Sequence, residues 1–139
     1  MTDLIEVKTA DLAGEALGWA VGMAECLALH LEPPQYGNGW RVFAIYRGEA
    51  TERCERHNPW EAWAVGGPLV ERFQVALIPE AHEGPDGTEA SDRWRAEVYY
   101  KAGEHYGTDY CDTPLIAACQ AVVATEYGDT VQVPKELMP

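Results

Sequence analysis

The C-terminal part of the chain contains a segment that is apolar on almost every side of a predicted helix. Residues 113–127 include the run Leu-Ile-Ala-Ala-Cys-Gln-Ala-Val-Val-Ala, and one glutamate is the only charged residue. Asp112 or Thr113 is placed to cap the first turn, Pro114 suits the first helical position, and Gly128 suits the end. A helix without a polar face has to be covered on more than one side. We therefore expect it to lie between a sheet and a second helix, or in a subunit interface.

A first long helix is predicted over residues 9–31, before Pro33 and Pro34. Its apolar side chains recur at three- and four-residue spacing, which is typical of one buried face. They are Leu12, Ala16, Trp19, Ala20, Met23 and Leu27. A second row contains Gly14, Gly18 and Gly22. Because each glycine costs a helix about 1 kcal/mol relative to alanine, we expect another backbone to approach this row closely, and the small residues of the C-terminal helix are the candidate partner.

The remaining segments predict a small antiparallel sheet. Period-two alternation and β-prone residues mark the strands. These are residues 40–47, 69–78, 93–100 and 129–133. Residues 48–68 are predicted to be a long irregular insertion, and residues 79–91 an acidic surface loop. The resulting prediction is a single α+β domain over residues 1–139, in which two long helices pack on three to four strands in the order α-β-β-β-α-(β).

Charge and terminal composition exclude several classes of protein. The chain has 10 Lys and Arg against 23 Asp and Glu, a formal charge of −13. Such a chain repels phosphate backbones, so we expect no nucleic-acid partner. The first residues include an acid and no apolar run, unlike a signal peptide, and charged residues interrupt the longest apolar stretch. We therefore expect a cytoplasmic protein with reduced cysteines and no membrane association.

Three segments together resemble a known family. They are Leu12–Val21, Trp63–Arg72, and a C-terminal set that joins Trp94-Arg-Ala to residues 112–124 and 128–137. Their order, spacing and content resemble the NinX-like family of small tailed-phage and prophage proteins. The resemblance implies a phage or prophage gene product expressed in a bacterial cytoplasm. It implies no activity, and it transfers no catalytic residues.

A candidate ligand site lies around the Gly-Gly-Pro sequence. Tryptophans precede it, an arginine follows it, and exposed glycine backbone between them would form a floor for a planar or anionic small molecule. The residues are Trp60, Trp63, Gly66, Gly67, Pro68 and Arg72. The alternative is structural: Gly66-Gly67-Pro68 forms a tight turn or bulge through which the chain enters the sheet, and the tryptophans belong to the core.

Metal and nucleophile patterns are weak. Cys26 and His30 lie four residues apart on the predicted helix, and Cys54 and His57 have ligand-like spacing, so together they are an alternative Cys2His2 zinc site. The four histidines are scattered along the chain, and the sequence has no nucleophile elbow. We therefore expect no metal, no cofactor and no catalytic residues.

Three functions remain open from the sequence. The first is a non-catalytic accessory protein that binds a host or phage protein. The second is a protein that binds or sequesters a small anionic, nucleotide-like molecule, and the third is an enzyme of unrecognised type. Homo-oligomerisation is expected as well, because the apolar C-terminal helix needs more cover than one small sheet provides.

Overall fold

The computed structural model describes residues 3–100 and 103–138, with Tyr100 described by its backbone alone. The α+β class is confirmed, while the number and order of the elements differ from the prediction. The helices are α1 (Gly14–Ala24), α2 (Trp63–Arg72) and α3 (Pro114–Tyr127). Short 3-10 helices cover Thr9–Asp11 and Lys135–Leu137. The strands are β1 (Leu4–Lys8), β2 (Ala28–Glu32), β3 (Arg41–Arg47), β4 (Glu52–Arg56), β5 (Ala76–Gly84), β6 (Gly87–Tyr100), β7 (Glu104–Gly107) and β8 (Thr130–Pro134).

The strands form three small antiparallel sheets. β1 pairs with β8, so the two ends of the described chain meet in a two-stranded sheet. β2, β3 and β4 form one three-stranded sheet, and β5, β6 and β7 form the other. The strand predictions at 40–47, 93–100 and 129–133 are confirmed by β3, β6 and β8.

α3 is the central element of the fold. Thr113 caps it, with its hydroxyl oxygen accepting from the Ile116 N–H at 3.2 Å, and Gly128 follows its end with φ of 72°. Its residues from Ala117 to Ala124 are buried, and it packs on α1, α2 and β6 among other elements. The chain therefore covers this helix by itself. α1, α2 and strands of two sheets surround it instead of one small sheet. A second subunit is therefore not needed to cover α3, and the expected homo-oligomer stays a prediction.

The first helix is shorter than predicted. α1 ends at Ala24, and residues 28–32 form β2 instead of continuing the helix to residue 31. Cys26 adopts a left-handed conformation with φ of 60°, which turns the chain back. Leu29 then packs on α1, where a Cβ added to Gly22 would lie 2.6 Å from its side chain. The return of β2 onto α1 decides the boundary, and local helical spacing contains no information on that contact.

The segment after β4 differs most from the prediction. Residues 48–68 are not irregular, because they include β4 and the start of α2, and the predicted strand at 69–78 is mainly helix and turn. Gly66-Gly67-Pro68 is neither a turn nor a bulge but lies inside α2. Pro68 removes one helical donor, and two glycines weaken the helix further. Tertiary packing on α3 overrides these propensities.

The acidic segment 79–91 is a hairpin instead of a surface loop. β5 runs to Gly84 and β6 starts at Gly87, with Glu83 opposite Thr88 and His82 opposite Glu89. Gly87 has φ of 114°, which suits glycine in a tight turn. Glu80, Glu83 and Glu89 therefore lie on paired strands, and Asp86 lies in the turn between them.

The glycine row of α1 meets a loop and not α3. A Cβ on Gly18 would lie 2.4 Å from the Trp60 ring and 2.9 Å from the His57 carbonyl oxygen. Close approach was predicted for the whole row and is observed at Gly18 and Gly22, whereas a Cβ on Gly14 would meet nothing within 4 Å. The predicted partner, the alanine row of α3, is wrong for Gly18. The segment between β4 and α2 lies against α1 there.

Candidate functional site

An exposed apolar groove lies beside β8. It has a volume of about 320 Å3, and we call it the β8 groove. Residues of β1, α1 and β8 and the last residue of α3 line it. They are Leu4, Glu6, Trp19, Met23, Tyr127, Thr130, Val131 and Gln132.

Large apolar side chains of the β8 groove are open to solvent. Leu4 is 51% exposed, Met23 42% and Tyr127 40%, and they come from β1, α1 and α3 respectively. Soluble monomers rarely leave several large apolar side chains together on one surface unless the surface binds something. Sequence reasoning missed this site, since it placed Met23 on the buried face of the first helix. Met23 continues the apolar spacing of α1, but the two-stranded β1–β8 sheet does not cover its side chain.

The charged residue that lines the β8 groove is an acid. Glu6 lines it, and the exposed residues Glu126 and Asp129 flank the groove residues Tyr127 and Thr130 in sequence. Lys8 is the nearby base on β1, opposite Thr130. With a chain charge of −13, the field at this surface favours a positively charged partner.

The two predicted tryptophans line a second cleft. This Trp cleft has a volume of about 270 Å3 and is lined by Trp60, Glu61, Trp63 and residues 113–116 at the start of α3. Trp63 is 55% exposed, whereas Trp60 is partly buried against α1. The structure therefore brings Trp60 and Trp63 to one cleft, as the candidate ligand site requires.

The other predicted ligand-site residues do not line this cleft. Gly66 is buried, and a Cβ there would lie 2.2 Å from the Pro59 carbonyl oxygen. Gly67 has Trp63 as its near neighbour, and Pro68 is exposed. Arg72 lies nine residues after Trp63 on the helix, hence on the opposite face, with its guanidinium 5.2 Å from the Phe73 ring. The glycine backbone that was expected to form the floor of the ligand site lies inside α2 instead. Arg72 does not lie beside the two tryptophans.

A buried ionisable cluster joins α1 to the segment after β4. His57 is 3% exposed, its Nε2 lies 3.4 Å from Glu25 Oε2, and Arg72 Nη1 lies 3.7 Å from Glu25 Oε1. Burial lowers the pKa of His57 from 6.5 to about 4, with the Arg56 charge acting in the same direction. Burial raises the pKa of Glu25, and the Arg72 charge opposes that rise. Neither Glu25 Oε2 nor His57 Nε2 has a hydrogen-bond partner among the described residues.

A second ion pair ties α1 to the β2–β3–β4 sheet. Both Glu15 oxygens accept hydrogen bonds from Arg56, and Glu15 Oε1 also accepts from the Val42 N–H at 2.8 Å. Arg56 donates to the Val42 carbonyl at 2.9 Å, and its guanidinium lies over the rings of Phe43 and Trp60. This side chain thus fixes the relative position of helix, sheet and Trp cleft. In the sequence, Glu15 and Glu25 were noticed only as charges that interrupt an apolar stretch. Such a charge among apolar residues was the one available sign that each needs a partner.

The alternative zinc ligands do not converge. Cys26 lies in the turn after α1 and His30 on β2, so the shared helix face that was predicted for them is wrong. Cys54 lies on β4 and His57 is buried. Within residues 3–100 and 103–138, no three side chains of His, Cys, Asp or Glu lie close enough together to hold a metal ion.

The buried thiols are held in the protonated form. Burial raises the pKa of Cys119 to about 12, and the neighbouring Glu25 charge raises it further. Burial also raises the pKa of Cys111, whose Sγ lies 3.5 Å from Gln120 Oε1. Because the thiolate is the nucleophilic form, neither cysteine is activated for covalent chemistry.

Comparison with protein families identifies the chain's relatives. The family model described as Bacteriophage P22, NinX matches residues 8–126, which include α1, α2, all but the last residue of α3, and the walls of the Trp cleft. The chain belongs to the NinX family. The expected resemblance is therefore confirmed over most of the sequence. A comparison with curated proteins finds no match.

The NinX-family match covers two of the eight residues that line the β8 groove. Trp19 and Met23 fall within the matched residues, whereas β8 follows them.

None of the described helices is long and apolar enough to cross a membrane.

Proposed function

We propose that this NinX-family chain is a non-catalytic accessory protein that works by binding a host or phage protein through the β8 groove. The observation that carries the proposal is the convergence of exposed Leu4, Met23 and Tyr127 on one groove. Fully burying a side chain of this size contributes about 1.5–3 kcal/mol, so a partner that covers the groove gains a substantial free energy. Phage-family membership supplies the setting, a bacterial cell that contains both phage and host proteins.

The location of the perturbed ionisable groups supports a binding role over a catalytic one. His57 and Cys119 have the large pKa shifts, and both are buried in packed regions away from the residues that line the β8 groove. An acid, base or nucleophile needs access to substrate in a cleft. These groups instead join helices and sheets to one another.

Capture and reconstitution test the proposal. The full chain, immobilised, is used to capture proteins from a lysate of the infected host, and each captured protein is identified, purified and titrated calorimetrically. We expect Met23→Glu to weaken binding at least tenfold, because it places a charge in the apolar groove. Tyr36→Glu is the matched control, since Tyr36 is 96% exposed and lies outside the groove. Equal affinities for both variants would show that the groove is not the binding surface.

The same titration includes a second copy of this chain as a partner. Light scattering measures the oligomeric state of the wild type, and a dimer that Met23→Glu dissociates would identify the groove as a self-association surface. A dimer that persists in Met23→Glu would place the expected homo-oligomer elsewhere.

The Trp cleft supports a second candidate function, the binding of a planar small molecule. Two tryptophans converge there, with Trp63 open to solvent. The charged residue that lines the cleft is Glu61, so the geometry favours an aromatic base over an anion held by Arg72. Titration with adenosine, guanosine, ATP and GTP, followed by tryptophan fluorescence and melting temperature, tests this function. Binding that survives Trp63→Ala, or no binding of any of the four, would refute it, and Trp40→Ala is the control.

A further inference from the structure

β8 has one edge that no other strand covers. The Lys135 N–H donates to the Asp3 carbonyl, and the Thr9 N–H donates to the Asp129 carbonyl. Residue pairs in antiparallel strands are alternately hydrogen-bonded and non-hydrogen-bonded. In β8, the residues whose backbone N–H and C=O groups bond to β1 are therefore Val131 and Val133. The N–H and C=O groups of Thr130 and Gln132 therefore point away from β1. In residues 3–100 and 103–138, β8 has no strand partner on that side.

Residues of the open edge of β8 also line the apolar groove. Thr130, Val131 and Gln132 line the groove, and both Thr130 and Gln132 are exposed. Trp19 and Met23 of α1 form the apolar wall beside them. Pro134 has no N–H, so the edge stops donating hydrogen bonds at its C-terminal end. A short row of unpaired backbone groups thus lies beside apolar side chains, which is the arrangement that binds added strands in peptide-recognition domains.

We propose that the β8 groove binds an extended, basic segment of another protein, which adds to the β1–β8 sheet as a third strand. This inference rests on the proposed function and specifies how the partner binds. The backbone of the segment pairs with Thr130 and Gln132, and alternate apolar side chains of the segment contact Trp19 and Met23. Five residues of β8 span about 17 Å, so the segment pairs over about five residues.

Charge favours a basic partner over a second copy of this chain. Each copy has a formal charge of −13, and Glu6 lines the groove, so two copies repel one another at this surface. Lysine or arginine on an added strand is attracted by this net charge and by Glu6 instead. This complementarity also accelerates encounter and makes binding sensitive to salt.

The test uses a ten-residue peptide in which Lys and Val alternate, titrated against the full chain by fluorescence anisotropy. Gln132→Pro removes one outward N–H of β8 without removing a bond to β1, and we expect it to weaken peptide binding at least tenfold. Lys8→Pro is the matched control on the outer edge of β1, because Lys8 already has φ of −68°, close to that of proline. We expect Lys8→Pro not to weaken peptide binding, because it removes an N–H of the other strand together with a base that repels the peptide.

Two altered peptides separate backbone pairing from charge. A peptide with the same side chains and N-methylated amides keeps its charge but cannot donate, and we expect at least tenfold weaker binding. A peptide that alternates Glu and Val keeps its amides, and we expect no measurable binding. Equal binding of the methylated peptide, or equal binding by Gln132→Pro and Lys8→Pro, would overturn strand addition.

Failure of this inference is distinguishable from failure of the proposed function. If Met23→Glu abolishes binding of the partner while Gln132→Pro leaves it unchanged, the groove binds its partner by another geometry and only the strand addition is wrong. If neither substitution alters binding of the partner, the groove is not the interaction surface and both proposals fail. A wild-type dimer that Gln132→Pro dissociates would assign the edge to a second copy and overturn the basic segment.

Discussion

Two adjacent glycines of α2 should respond oppositely to the same substitution. A Cβ on Gly66 would lie 2.2 Å from the Pro59 carbonyl oxygen and 3.0 Å from Leu115 Cδ2. The first contact is with backbone, which has to move by about 1 Å to reach an ordinary contact distance. A Cβ on Gly67 would lie 3.5 Å from the Trp63 ring, which is an ordinary contact.

The magnitudes follow from packing and helix propensity. Overpacking of a buried site costs about 1–3 kcal/mol, and the rigid neighbour of Gly66 places it near the upper end. Replacement of a helical glycine by alanine returns about 1 kcal/mol at either position. We therefore expect Gly66→Ala to lower the free energy of unfolding by about 2 kcal/mol and Gly67→Ala to raise it by about 1 kcal/mol.

Urea unfolding followed by far-UV circular dichroism measures both changes, and thermal melts check them. A difference of about 3 kcal/mol between the variants corresponds to about 10 °C in Tm for a chain of this length. Gly66→Ala at least as stable as the wild type would refute the packing of α2 against Pro59 and Leu115. Equal destabilisation by both substitutions would show that this segment is not helical.

Further predictions concern the buried charges and the thiols. The pKa of His57 is about 4 in the folded chain and 6.5 in the unfolded chain. The contribution of neutral His57 to stability is therefore complete above pH 6.5 and is lost as the pH falls towards 4. Urea titration at several pH values should show that the wild type loses about 3 kcal/mol over that window and that His57→Gln loses distinctly less. Glu15→Ala removes the acceptor of the Val42 N–H and the carboxylate partner of Arg56, which keeps its bond to the Val42 carbonyl, and should cost about 2 kcal/mol. Arg47→Ala, in an exposed pair, should cost under about 0.5 kcal/mol in the same assay. Equal losses would contradict this assignment. Labelling with Ellman's reagent under native conditions should modify two thiols rapidly and two only after unfolding, and four rapid reactions would contradict the burial. The rapid pair is Cys26 and Cys54, and the slow pair is Cys111 and Cys119.

Local sequence signals were enough to predict an element where the residues that start and end it lie within the element or next to it. The capping threonine, the proline and the terminal glycine of α3 lie within a few residues of the groups that they satisfy, and the helix was predicted within one residue. The alternation in β6 was equally readable, because a half-buried strand repeats every two residues. The hairpin beyond Pro79 was missed because its polar residues also suit a loop, and pairing with β6 decides between the two.

The candidate sites depended on contacts between distant segments. Trp60 and Trp63 were correctly singled out, but the helix between Trp63 and Arg72 places the arginine on the opposite face. His57 has no local signal for burial, and its position follows from the close packing of the segment after β4 against Gly18. The β8 groove draws on both ends of the described chain, so no window of sequence contains it.

The amino-acid sequence alone therefore determined the α+β class, the central apolar helix, three of the strands and the NinX-family membership, because each depends on patterns within one segment or on similarity along the chain. The tertiary structure alone decided that Gly66-Gly67-Pro68 is helical, that α1 stops at Ala24, and that an apolar groove lies beside an open strand edge. The physical reason is that these features depend on packing and pairing between segments far apart in sequence, and packing free energy overrides the weak local propensities of glycine, proline and short apolar runs.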